Sequence, residues 1–219
     1  MNIQKRSREQ IVAKVAQDIP TGSFVNLGIG LPTRVAGYLK PEQGVILHSE
    51  NGVLGFAALS DPEQADDDLI NAGKELVSML QGGSFMNSAD SFDIMRGGHL
   101  DICIMGAFQV AINGDLANWH TGNADAVPAV GGAMDLAVGA RSVYVCMEHV
   151  TKNGEAKIVE ELTYPLTGKH CVNRIYTDLC VIELKDRQAQ VIEIVDGLSF
   201  EELQQQTGCK LVDSRQQAA

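Results

Sequence analysis

Short apolar runs broken by glycine turns and followed by helical stretches recur along this chain, and no other feature constrains its fold as much. The clearest unit is SFVNLGIGLPTRVAGYL, Ser23 to Leu39, which predicts a buried strand through Leu27, a turn at Gly28-Ile29-Gly30 and a helix starting near Pro32. The alternation continues with a strand over 44–48, an acidic connection from Asp61 to Asp68, and a helix over 88–96 closed by Gly97-Gly98. A strand within 100–110 follows, then Gly131-Gly132 ahead of a helix over 133–140, then a strand over 142–149. Strands alternating with helices predict an α/β fold: an open, mostly parallel sheet with helices on both faces.

The two ends add to this plan. Ser7 and Gln10 have capping-box spacing, Ile11, Val12, Val15, Ala16 and Ile19 recur at helical period, and Pro20-Thr21-Gly22 stops the helix. Beyond Gly168 the runs RIYTDLCVIEL and AQVIEIV predict a C-terminal hairpin, followed by a helix capped by Ser199 with Glu202 and ended by Gly208. With 219 residues and 45% hydrophobic content, one domain over 1–219 is expected.

The net charge of −11 argues against a nucleic-acid partner, because a polyphosphate would be repelled. Lys5, Arg6, Arg8 and Lys14 are read as the solvated face of the first helix. Five cysteines without a C-x-x-C pair, and no apolar run long enough to span a bilayer, predict a soluble, reduced, cytoplasmic chain without a membrane partner. The five histidines show neither H-E-x-x-H nor a cluster with cysteine, so no metal site is expected.

Several constellations remain to be weighed. Gly28-Ile29-Gly30 lacks the third glycine of a dinucleotide fingerprint, which is Thr33 here; its backbone N–H groups either meet an oxyanion or phosphate, or simply form a strand-to-helix turn. No G-x-S-x-G elbow is present, and Cys171 beside His170 reads as a small core residue. Lys74 is either a contact for an anionic substrate or an exposed surface lysine. The stretch LHSENGVLG, Leu47 to Gly55, leaves two readings of Glu50. Asn51-Gly52 is a strong hairpin signal that would make Glu50 a solvated flank, yet the flanking runs are continuously apolar and place Glu50 at a strand's carboxyl end, where ligands bind. A carboxylate there can attack an activated acyl group when water is excluded and donors await the oxyanion.

At LHSENGVLG the chain resembles the glutamate-bearing subunit of family I coenzyme A transferases, and NLGIGLP, DLINAGK, MRGGHLDICIMGAFQV, GDLANW, GGAMDL and YPLTGKHCVNRIYTDL extend the likeness over nearly its whole length. The resemblance implies the catalytic reading of Glu50: a nucleophile that carries a mixed anhydride and then a CoA thioester in a ping-pong exchange. It also implies that Asn26, Lys74 and Gly131 lie at the substrate or oxyanion, and that Asn51 and Gly52 shape the turn presenting Glu50. CoA is then a substrate and no permanently bound cofactor is expected. A homologous alpha subunit is the implied partner; the acidic chain itself shows no basic cradle for the phosphates of CoA.

LANWHTGNADAVPAVGGAMD resembles subunits that act on 3-oxoadipate with succinyl-CoA in aromatic-compound catabolism, in place of the Pro-Gly-Lys and Gly-Met-Gly-Gly of acetoacetate enzymes. His120 or the backbone N–H groups of this loop are the expected donors to the acceptor's second carboxylate. The alternatives are an acetoacetate-specific transferase subunit and a ligand-sensing relative without activity.

Overall fold

The computed structural model describes residues 3–122 and 130–215. Helix α1 (Arg8–Gln17) starts where the spacing places it: Ser7 Oγ accepts the Gln10 N–H at 3.2 Å and the Gln10 side chain accepts the Ser7 N–H at 2.7 Å. The chain then runs through β1 (Phe24–Leu27), β2 (Ile46–Ser49), β3 (Val53–Ala58), β4 (Val77–Phe85), α2 (Ser88–Arg96), β5 (Ile102–Met105), β6 (Gln109–Ala111) and β7 (Leu116–Ala117). It continues with α3 (Ala133–Gly139), β8 (Ser142–Cys146), β9 (Ile158–Val159), β10 (Val172–Tyr176), β11 (Cys180–Lys185), β12 (Gln188–Ile194), α4 (Phe200–Gln205) and β13 (Leu211–Asp213).

Ten of these strands form one sheet in the order β13-β12-β11-β10-β8-β5-β1-β2-β3-β4, and β7-β6-β9 form a second, small sheet. Five neighbouring pairs of the large sheet are parallel and four antiparallel, the run β10-β8-β5-β1-β2 being parallel throughout. Both faces are covered, and β5 shows the alternation that achieves it. Ile102 and Ile104 join the core under α1, whereas Cys103 and Met105 join the core containing Met95 of α2 and Leu136 of α3. No helix among the described residues is long and apolar enough to cross a membrane.

Several expectations change in detail. Residues Leu31–Tyr38 wind as a 3₁₀ helix, not an α-helix, and its three-residue period puts Pro32 and Val35 on one buried line. The expected strand within 100–110 is two strands in two sheets, because the chain leaves the large sheet at Gly106. RIYTDLCVIEL is not one strand of a hairpin; Thr177 Oγ accepts the N–H groups of Leu179 (3.1 Å) and Cys180 (3.0 Å), and this turn folds the run into β10 and β11. The C-terminal arrangement is therefore a three-stranded meander followed by α4, whose Ser199–Glu202 capping box is present.

The N-terminal basic group is also not merely solvated. Arg6 and Lys14 pair with Glu193 of β12 (Lys14 at 3.2 Å), Lys5 with Asp178 (3.3 Å) and Arg8 with Glu148 (2.8 Å), so the group ties the start of the chain and α1 to the strands beside it.

Candidate active site

The ends of the parallel strands explain where the cavity lies. β8, β5, β1 and β2 all finish on the same edge, and the space beyond them, about 580 Å³, is walled by residues from each. Glu50 follows β2, Asn26 and Gly28 close β1, Gly106 follows β5, and Gly131-Gly132 precede α3 on the opposite side.

The hairpin and the site prove to be one object. β2 and β3 are antiparallel neighbours, and the Gly52 N–H donates to the Ser49 carbonyl at 2.9 Å, leaving Glu50 and Asn51 as a two-residue tip. Gly52 has φ +102°, and a Cβ there would stand 2.1 Å from the Met86 carbonyl oxygen, so only glycine fits. Further bonds hold the tip: Ala72 N–H donates to Ser49 Oγ (2.8 Å), the Asn51 amide donates to the Ile70 carbonyl (2.8 Å), and Met86 N–H donates to the Gly52 carbonyl (2.9 Å).

Glu50 is half-buried on the cavity wall. Burial raises its carboxyl above the ordinary glutamate range, and the Asp135 carboxylate raises it further. One of its oxygens, Oε2, lies so close to Gly132 that a Cβ on that residue would be 2.2 Å away. The nucleophile candidate therefore sits against bare backbone in a partly dry pocket, the environment in which charge developing on an acyl oxygen can be met by N–H groups instead of water.

Of the residues expected beside it, Asn26 and Gly131 share the cavity wall with Glu50. Asn51 is exposed and acts on the turn, through Ile70. Lys74 is exposed and not on the wall; it has φ +62°, the last residue of a tight turn whose N–H donates to Asn71 (2.9 Å) and whose neighbour Ala72 reaches the cavity. His120 is not on the wall either; its Nδ1 accepts the Gly122 N–H at 2.9 Å and its ring lies 5.5 Å from that of Trp119. The remainder of its loop, 123–129, lies outside the described residues. Among the described residues no group of three or more His, Cys, Asp and Glu is placed to hold a metal ion.

Four residues join the site without a sequence expectation. Gly132 seats the Glu50 carboxylate, and only the three-dimensional approach reveals it, since Gly131 and Gly132 look alike in sequence. Lys157 lines the cavity with no carboxylate within salt-bridge distance among the described residues, and desolvation lowers its pKa; with Arg8 it supplies the cations of the wall. His48 and Ser91 are wholly buried beneath the Glu50 turn. The only local signal for His48 is that it ends an apolar run two positions before Glu50, and Ser91, among the mostly polar residues 87–93, has none.

The comparisons with known proteins bear on the family and the fold. The family model described as Coenzyme A transferase matches residues 8–206. The B-type subunit of the 3-oxoadipate CoA-transferase of Acinetobacter baylyi is 62% identical, covering 99% of this chain and 100% of its own. Its counterpart in the succinyl-CoA:3-ketoacid coenzyme A transferase of Helicobacter pylori is 44% identical, covering 91% of this chain and 96% of its own. In fold, the acyl-CoA transferase YdiF of Escherichia coli O157:H7 superimposes with a TM-score of 0.74 at 18% identity; the match covers 98% of this chain but only 43% of that one. Glutaconate coenzyme A-transferase from Acidaminococcus fermentans gives 0.68 at 17% identity, over 98% of this chain and 89% of its own. A family model spanning most of the chain, with relatives this similar at full length, makes the protein an enzyme chain of the coenzyme A transferase family.

Proposed function

We propose that this chain is the beta subunit of a transferase that moves CoA from succinyl-CoA to 3-oxoadipate, with Glu50 as the covalent carrier. The observation that carries the reading is the half-buried Glu50 carboxylate, held on a five-times-bonded turn over a cavity at the parallel strand ends. A Glu50 oxygen attacks the thioester carbonyl of succinyl-CoA, the C–S bond breaks, and CoA leaves as thiolate, giving a glutamyl-succinyl anhydride. The thiolate then attacks the glutamyl carbonyl, succinate departs with the bridging oxygen, and Glu50 holds CoA as a thioester. 3-Oxoadipate reverses both steps and leaves as its CoA thioester, so the thioester's energy is retained throughout and no nucleotide is consumed.

The acids and CoA are all anions, and Arg8 and Lys157 are the cations they meet on this wall. The names borne by the relatives at 62% and 44% identity support transfer to a 3-oxo acid through a multi-subunit enzyme, and the greater similarity to the 3-oxoadipate enzyme supports the dicarboxylic acceptor. A homologous alpha subunit completes the site in this reading. Asn51 fixes the turn, Gly131 offers backbone N–H to the oxyanion, and Lys74 and His120 meet anionic groups of the substrates when the two subunits are joined.

The test combines the chain with its alpha subunit and succinyl-CoA, reduces the product with borohydride and maps it by mass spectrometry. Conversion of Glu50 to the alcohol, and faster turnover with 3-oxoadipate than with acetoacetate, are expected. No change at Glu50 would remove the proposed carrier, and preference for acetoacetate would replace the acceptor.

The pH profile supplies a second expectation. Burial and Asp135 both disfavour the ionised form of Glu50 that must attack, so the acid limb of kcat/KM falls at a pH above that of an ordinary glutamate. Asp135→Asn removes the neighbouring negative charge, so the limb moves to lower pH. A limb that stays in place would show that Glu50 does not feel Asp135.

A further inference from the structure

Directly beneath the Glu50 turn, His48, Asn26 and Cys103 stand in register on β2, β1 and β5 and face α2 from one cross-strand row. The Asn26 amide nitrogen is 3.0 Å from His48 Nδ1 and 3.2 Å from the His48 carbonyl oxygen. A carbonyl oxygen only accepts, so the NH₂ end of Asn26 must face it, and both amide hydrogens are engaged by His48. With Nδ1 accepting, the imidazole proton lies on Nε2 and donates to Ser91 Oγ at 3.0 Å. The Ser91 hydroxyl in turn donates to the Ser49 carbonyl at 3.3 Å. Every donor in this relay has an acceptor, and reversing any one bond leaves two donors or two acceptors facing each other.

The last acceptor gives the relay its purpose. The Ser49 carbonyl immediately precedes Glu50 and also receives the Gly52 N–H that closes the tip. We infer that His48 is a positioning residue for the nucleophile: its neutral imidazole, protonated on Nε2, orients the Asn26 amide on one side and, through Ser91, holds on the other the carbonyl from which the Glu50 turn departs. The inference rests on Glu50 being the acyl acceptor. Burial supports it, because it holds the imidazole pKa at about 4 and so keeps the ring neutral at physiological pH.

A consequence follows for Asn26. With both N–H groups turned to His48, its remaining polar atom is the carbonyl oxygen, whose protein neighbour is the Cys103 thiol at 4.0 Å. The Asn26 side chain is thus committed to protein partners on both ends, and its orientation is set by His48.

The experiment cuts the relay at separate links in the complex with the alpha subunit. His48→Asn keeps an acceptor near the position of Nδ1, His48→Gln keeps an N–H near that of Nε2, and Ser91→Ala removes the final donor. Each variant is expected to lose about 10- to 100-fold in kcat per folded molecule, with KM for both acids altered less than about threefold, as for a displaced but intact nucleophile. Ser91→Ala added to His48→Asn is expected to cost less than the product of the two single losses, since without the Nε2–H the Ser91 hydroxyl is no longer held toward the Ser49 carbonyl. Normal kcat in all three single variants, or losses that multiply in the double variant, would overturn the inference.

Nitrogen-15 NMR of the unsubstituted complex gives a readout independent of activity and of variant folding. Nε2 is expected to carry the proton at pH 7, with a resonance that shifts in Ser91→Ala; a proton on Nδ1, or on both nitrogens, would also overturn it. A complex that forms no adduct at Glu50 removes the carrier assignment but leaves this tautomer result standing, so the two failures are distinguishable.

Discussion

Glu50→Gln is expected to fold as the parent chain does and to lose CoA transfer by at least ~10⁴-fold, the scale seen when a covalent nucleophile is removed. The amide matches the carboxyl group in shape, so the tip, its bonds to Ile70 and Ser49, and the cavity wall stay as they are. Stability should be unchanged or slightly higher, because the site already disfavours charge at this position. Steady-state rates with succinyl-CoA, paired with a thermal melt, test this. A variant that exchanges CoA at the parent rate would show that the acyl group never passes through Glu50.

Gly132→Ala should come next in effect, for a different reason. The residue has φ −83°, which alanine adopts without strain, so the backbone of α3 has no cause to change. The new Cβ would stand 2.2 Å from Glu50 Oε2 and 3.3 Å from its Cδ, well inside contact distance, and the carboxylate must swing off the wall. Displacement of a reacting group by about 1 Å costs on the order of 10²-fold in rate, so a loss of that size in kcat is expected with little change in melting temperature. Borohydride trapping should still find Glu50, but slowly, which separates a displaced nucleophile from an absent one. An unaltered single-turnover rate with succinyl-CoA would mean that Gly132 does not define the working position of the carboxylate.

Which features are legible in the sequence depends on how local their causes are. The capping boxes at Ser7–Gln10 and Ser199–Glu202 are readable because all the partners lie within four residues. β4 is not, because its burial is discontinuous and its Gly82-Gly83 pair resembles a loop; Gly83 is required instead by the close approach of Gly55, whose carbonyl oxygen would lie 2.6 Å from a Cβ at Gly83. The break at Gly106 escapes for a related reason, since one glycine inside an apolar run does not announce a change of sheet.

The same distinction applies at the site. Glu50 is readable from Ser-Glu-Asn-Gly, although a hairpin turn and a place on the cavity wall look exclusive in sequence and one turn provides both. The orientation of Asn26 depends on His48, 22 residues away in sequence, and the seat of the carboxylate on Gly132, 82 positions from Glu50; neither separation leaves a local pattern.

The rigidity of the two-residue tip has an implication for how the enzyme must work. Bonded to the 70–72 loop, to α2 and to the residue before it, and jammed at Gly52 against Met86, the backbone that carries the glutamate is fixed from several sides. On the ping-pong cycle proposed above the glutamate has nevertheless to face a thioester, a free thiolate and two different carboxylic acids. In that reading accommodation falls to whatever lies across the gap, so that substrates are brought to a stationary anvil and released from it by movement of the opposite jaw.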